Sequence, residues 1–166
     1  FDLPSEAMWE FACRAGTDTK LYTGDPEHTA FWNDSHTKKI MRAYGSNVKK
    51  FPESWTEEEK RMCDLNYGSN IVGSYLPNAF GLYDMLGNVA EWCLDYYGKD
   101  YKHTVGESLL DPTGPDSPDE SGHRVVRGGS CYDEYAYQMR SAYRTSNKYS
   151  EGAWPSRGFR LVVSVK

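Results

Sequence analysis

PNAFGLYDMLGNVAEW, residues 77–92, is the stretch from which the fold is read. Gly81 and Gly87 lie where a change of chain direction or a close backbone approach requires a residue without Cβ. Phe80, Tyr83 and Trp92 carry the aromatic bulk of a core, a role shared by Trp9 and Phe159 elsewhere in the chain. Asp84 and Glu91, seven residues apart, bracket a Gly-Asn turn. A hard cation such as calcium takes six to eight oxygens from carboxylates, carbonyls and water, and a turn between two acids can supply several of them. Read without that cation, Glu91 suits a helix facing an arginine and Asp84 suits a cap.

Outward from this block, the N-terminal side holds a helix over about residues 5–15. Ser5 is its N-cap, Glu6 sits in the first turn where the helix dipole favours it, and Gly16 is the stop. Ala7, Met8, Phe11 and Ala12 supply its apolar repeat. Residues 17–70 have no sustained period and predict irregular structure, with one short helix near Glu57–Met62. On the C-terminal side, Leu109–His123 concentrates Pro, Gly, Asp and Ser, so it predicts a surface loop. Two β-branched runs follow, RVVR at 124–127 and GFRLVVSV at 158–165, and both read as strands. Arg127, Arg140 and Arg160 sit among apolar residues, and Glu10 and Glu91 are their candidate partners.

Composition narrows the function classes. The 166 residues fit one domain, and a net charge of -5 offers no basic field for a phosphate backbone, so no nucleic-acid partner is expected. No apolar run approaches the roughly 20 residues of a membrane-spanning helix. Cys13, Cys63, Cys93 and Cys131 are 50, 30 and 38 residues apart, unlike the short paired spacings of zinc sites. They suit two disulfides or small buried apolar residues equally. The chain opens at Phe1, and any targeting signal lies outside it.

Four ordered segments resemble the formylglycine-generating-enzyme, or sulfatase-modifying-factor, family: LPSEAMWEFACRAG (3–16), PNAFGLYDMLGNVAEW (77–92), RVVRGGS (124–130), and RSAYR with GFRLV (140–144 and 158–162). The resemblance implies an α+β, C-type-lectin-like fold: a twisted mixed sheet, two helices and extensive irregular structure. It also implies a single domain over 1–166 without the strands and helix that the family carries upstream. In this family the 84–91 segment holds a structural calcium, which implies as ligands the side chains of Asp84 and Glu91 and the carbonyls of Gly87 and Val89. The family's oxidases hold copper with two cysteines at the third and eighth residues after RGGS. Those positions are Asp133 and Gln138, so no copper is expected, because soft Cu(I) selects sulfur. Related iron-dependent sulfoxide synthases use a histidine cluster from another domain, and His28, His36, His103 and His123 form no such cluster in the sequence.

From Cys131 to Arg157 the framework is RSAYR. Around it Tyr132, Tyr135, Tyr137, Tyr149 and Trp154 are interleaved with Asp133, Glu134, Gln138, Asn147 and small polar residues. Tyr and Trp offer large amphipathic contact area at low rotamer cost, while Ser, Gly and Asn adapt their hydrogen bonds, as in antibody paratopes. Tyr143 fits a packed position better than the others. The pattern resembles the variable proteins of diversity-generating retroelements, which diversify a C-terminal segment on a C-type-lectin-like scaffold. The expectation is a noncatalytic recognition protein, surface-displayed or secreted, that binds a protein or cell-surface ligand. The alternative is an oxidase-like or accessory enzyme domain with an altered active site.

Overall fold

A computed structural model describes residues 1–26, 37–41, 68–98, 112–118, 122–133, 135–148 and 154–163. The expectations for a helix near Glu57–Met62, and for Cys63, Glu134 and Tyr149, lie outside the described residues. The elements are α1 (Glu6–Arg14), α2 (Thr37–Ile40), β1 (Ala90–Tyr96), β2 (Arg124–Arg127), a 3-10 helix (Ala136–Met139), β3 (Arg144–Asn147) and β4 (Arg157–Gly158). The strands form one mixed sheet in the order β3-β2-β1-β4. β1 runs antiparallel to β2 and parallel to β4, and a bulge between Trp92 and Tyr96 breaks the β1–β2 register. This is the α+β, mixed-sheet architecture that the family resemblance implies.

Helix α1 starts where its chemistry dictates. Ser5 Oγ accepts the Met8 amide at 3.2 Å, and Ala15 closes the helix in the left-handed region at φ 48°. Strand β1 and the 77–92 block grip both of its ends. Asp95 Oδ2 accepts the Glu6 amide at 2.7 Å, and Asn78 Nδ2 donates to the carbonyls of Ala12 (2.7 Å) and Cys13 (3.2 Å). Such side chains satisfy the donors and acceptors that every helix leaves unpaired at its termini.

The buried face of α1 differs from the sequence expectation. Trp9, Cys13 and the carboxylate-bearing Glu6 point inward, whereas Met8 and Phe11 are exposed, Phe11 against Phe80 at 5.6 Å between ring centroids. The reason is electrostatic. Glu6 takes the Arg144 guanidinium side-on, with Nε–Oε1 at 2.5 Å and Nη2–Oε2 at 2.8 Å, so the helix turns its carboxylate to the sheet. Of the expected core aromatics Trp9 is buried and Trp92 half-buried, while Phe80, Tyr83 and Phe159 are exposed. The core is built instead from Trp9, Leu21, Ile40, Met41, Met85, Leu86, Val125 and Met139 with Cys13 and Cys93.

Two strand expectations separate in the same way. RVVR becomes β2 as read. Among its described residues, 158–163, the GFRLVVSV run pairs in the sheet only at Gly158, followed by an isolated bridge from Val162 to Asp2, and its Phe159, Leu161 and Val163 face outward. Gly158 lies so close to Val89 that an added Cβ would meet Val89 Cγ2 at 2.7 Å. Beyond that contact, Arg160 reaches back to Glu91 instead of continuing a ladder on β1.

Candidate functional site

Arg127 holds the framework under the site. Its side chain is 0% exposed, and its guanidinium bonds the carbonyls of Tyr143 (2.7 Å) and Ser141 (3.0 Å), pairs with Glu10, and lies within 3.6 Å of Glu6. A buried cation with fewer partners would be strongly unfavourable. Glu10 and Glu91, the candidate partners of the three arginines, pair with Arg127 and Arg160 respectively, although Glu91 stands on strand β1 rather than on a helix. Arg140 bonds the Tyr137 carbonyl through Nε at 3.1 Å.

Strand β2 delivers the chain into Gly128-Gly129-Ser130, where the surface of interest begins. Gly129 has φ 68°, and a Cβ there would meet the Gln138 carbonyl oxygen at 2.8 Å. The glycine therefore lets the 3-10 helix lie against the β2 exit. Ser130 and Asp133 lock the following turn. Asp133 Oδ2 accepts from the Ser130 amide (2.7 Å) and hydroxyl (2.9 Å), Asp133 Oδ1 accepts from Gln138 Nε2 (2.8 Å), and Gln138 Oε1 accepts from the Tyr135 amide (3.0 Å).

Asp133 and Gln138 are thus brought together, but as half-buried members of a hydrogen-bonded frame and not as freely presented contact groups. The sequence offers both as ligand-binding residues. Their contact explains why they are drawn in: each fills the other's polar valences. Together they offer a carboxylate and an amide, in place of the two thiolates that soft Cu(I) selects. Cys131 beside them is buried, and Cys13 and Cys93 are free thiols. Burial pushes the Cys13 thiol up to about 11 and raises Cys93 further, so neither is primed as a thiolate.

The aromatic rim lies above this frame. Tyr132, Tyr135, Tyr137 and Trp154 are 42%, 58%, 51% and 53% exposed. Tyr132, Asp133 and Trp154 line one concavity of about 400 Å³ with Ser130, Pro155, Ser156 and Arg157. Tyr135 stacks on Tyr137 at 5.7 Å, and Tyr137 meets the edge of Tyr143 at 5.7 Å. Tyr143 is half-buried, and burial raises its hydroxyl pKa. Asn147 is on β3, opposite Arg124, and does not line the concavity. Sequence reading missed Arg157 as a lining residue. The only signal for it was its position directly before the GFR strand.

A second concavity, about 460 Å³, contains Asp84, Asn88, Val89, Glu91 and Arg160. Asp84 stands at φ 53° with Oδ2 on the Gly73 amide (2.6 Å) and a buried Oδ1 that has no partner. Burial raises the Asp84 pKa. That unpaired oxygen fits a cation. Glu91 is more fully committed: Oε2 accepts from Trp9 Nε1 and Arg160 Nε, both at 2.6 Å, and Oε1 accepts from Arg160 Nη2 at 2.7 Å. Among the described residues no three His, Cys, Asp or Glu side chains cluster as a ligand set, so backbone carbonyls would have to complete the shell.

The order and spacing of these parts agree with known proteins. The model of the sulfatase-modifying factor enzyme 1-like domain matches residues 1–165. The chain belongs to that family. It is 34% identical over 164 residues to the formylglycine-generating enzyme of Thermomonospora curvata, covering 97% of this chain and 48% of that protein. It is 42% identical over 165 residues to the serine/threonine-protein kinase Pkn1 of Chlamydia trachomatis, covering 99% of this chain and 21% of the kinase. Among solved structures, Treponema denticola variable protein 1 superposes with a TM-score of 0.68 at 28% identity, over 95% of this chain and 45% of that one. The chain therefore spans about half, or less, of the length of the proteins it matches. Family members of this fold thus include both named enzymes and a variable protein. No helix among the described residues is long and apolar enough to cross a membrane.

Proposed function

We propose that this domain is a noncatalytic recognition module, displayed at a cell surface or secreted, that binds a protein or cell-surface ligand through the rim at residues 131–157. One observation carries the reading. Where the family's oxidases keep two cysteines, Asp133 and Gln138 bond each other and brace a turn that presents exposed Tyr132, Tyr135 and Tyr137, and exposed Trp154 shares a concavity with Tyr132. Contiguous exposed aromatics on a rigid frame mark interaction surfaces. The likeness to a variable protein supports the same reading.

The test is to pan a displayed random-peptide library against the immobilised chain, then measure the selected peptides against Tyr132→Ala and Trp154→Ala. Loss of binding in both variants, with melting temperatures unchanged, is the expected result. Binding indifferent to both variants overturns the reading. Turnover of a cysteine-containing peptide with oxygen and copper would establish the enzyme alternative instead.

Calcium at Asp84, Gly87, Val89 and Glu91 is a second proposal, supported by the buried, unpaired Asp84 Oδ1. Titration with calcium should raise the melting temperature in the wild type and not in Asp84→Ala. An equal rise in both would remove it.

A further inference from the structure

Arg144, Arg157 and Arg160 differ in how they use the Nε–Nη2 edge of the guanidinium. Arg160 presents its Nε–Nη2 edge to Glu91, and Arg144 presents the same edge to Glu6, each as a two-point fork. Arg157 has its Nη1 on the Ser156 carbonyl (3.2 Å) and hydroxyl (3.0 Å), which fixes the plane of the group. Its Nε is buried with no partner, as is that of core-buried Arg127, and among the described residues its Nη2 makes no hydrogen bond. None of the ion pairs among the described residues includes it. A buried guanidinium N–H without an acceptor is costly, and the edge it belongs to matches a planar carboxylate in geometry and charge.

Arg157 also lines the concavity of Tyr132, Asp133, Trp154 and Pro155. We propose that Arg157 is a carboxylate-binding anchor, taking an Asp or Glu side chain of a peptide partner on its Nε–Nη2 edge while Tyr132 and Trp154 pack on the flanking residues. This inference rests on the recognition reading and names its ligand chemistry. Asp133 lies on the same wall. Its oxygens are engaged by Ser130 and Gln138 and do not fill the Arg157 edge.

The selected peptides provide the test. Those that depend on Tyr132 and Trp154 should share an acidic position. Changing that residue to Gln, or Arg157→Gln in the protein, should weaken binding by about tenfold or more, as loss of a charged hydrogen-bonded pair does. The two changes together should weaken it little beyond either alone. Arg157→Lys keeps the charge without the fork and should fall between wild type and Arg157→Gln. It also serves if Arg157→Gln fails to fold, as does the Gln-substituted peptide on the wild type. Peptides that need Tyr132 and Trp154 but carry no acidic position, or ignore Arg157→Gln, overturn the anchor and leave the recognition reading standing. Peptides that need neither aromatic overturn both.

Discussion

The β1–β2 framework and the 131–157 rim use the same residue types to opposite ends. In the framework, Arg127, Arg144 and Arg160 meet Glu6, Glu10 and Glu91, and Trp9 is wholly inside, bonded to Glu91 and facing the Arg127 guanidinium at 5.3 Å. In the rim, Arg157 has no carboxylate partner among the described residues, and Trp154 and three tyrosines face solvent. Charge that is paired inward fixes the chain, and charge left unpaired at a concavity is free to choose a partner. The contrast supports the proposed recognition surface, where aromatic area and an unfilled arginine edge lie on one wall.

The contrast breaks most visibly at its centre. Arg127→Leu leaves Glu10 without its buried partner and frees the carbonyls of Tyr143 and Ser141. A loss of about 3–5 kcal/mol is expected in urea unfolding, enough to abolish cooperative folding in a marginal domain. A change under about 1 kcal/mol would show that the framework is not held by its ion pairs.

Next in size is the joint between the two regions. Gly129→Ala forces a Cβ to within 2.8 Å of the Gln138 carbonyl at φ 68°. The left-handed conformation alone costs an alanine about 1–2 kcal/mol, and the clash adds to it. The turn that braces Asp133 should loosen too, so peptide binding should fall together with stability. A stable variant that still binds would show that the rim does not need this frame.

A smaller effect tests a buried charge of the framework by pH. Asp95 is buried, and its pKa is raised above its ordinary 3.8, first by burial, with the Glu6 charge adding to the rise. The folded state therefore binds more protons than the unfolded one across the window above 3.8. Its contribution to stability is fullest below that value and is lost as pH rises through the raised folded one. Asp95→Asn keeps an acceptor for the Glu6 amide and removes the charge, so it should melt higher than wild type at neutral pH and lose that advantage in acid. A lower melting temperature at neutral pH would mean that the charge interacts favourably with the α1 terminus.

What the sequence disclosed follows from how local its causes are. The Ser5 cap, the RVVR strand and the Glu10 and Glu91 pairings were legible because cap chemistry and buried arginines restrict their surroundings. The facing of α1 was not, because Glu6 is turned inward by Arg144, 138 residues away. The outward turn of Phe159 is equally non-local, since it depends on Val89 crowding Gly158. At the rim, the exposure of Tyr132, Tyr135, Tyr137 and Trp154 was legible from composition. The Asp133–Gln138 contact was not, although the Ser130-to-Asp133 spacing is that of a self-bonded turn.

The smallest effect is expected where the rim is pure surface. Tyr135→Ser and Trp154→Ser should each change stability by less than about 0.5 kcal/mol, since exposed side chains contribute little to the core. Tyr137→Ser should cost somewhat more, about 0.5–1.5 kcal/mol, because it loses both the stack on Tyr135 and the edge contact with half-buried Tyr143. The triple variant measured by thermal unfolding should therefore melt only slightly below wild type, with nearly all of the loss traceable to Tyr137. Repeating Tyr137→Ser in a Tyr143→Leu background isolates that edge contact, and there the further loss should shrink. A fall of several kcal/mol in the triple variant would place these rings in the core and remove the basis for reading the rim as a recognition surface.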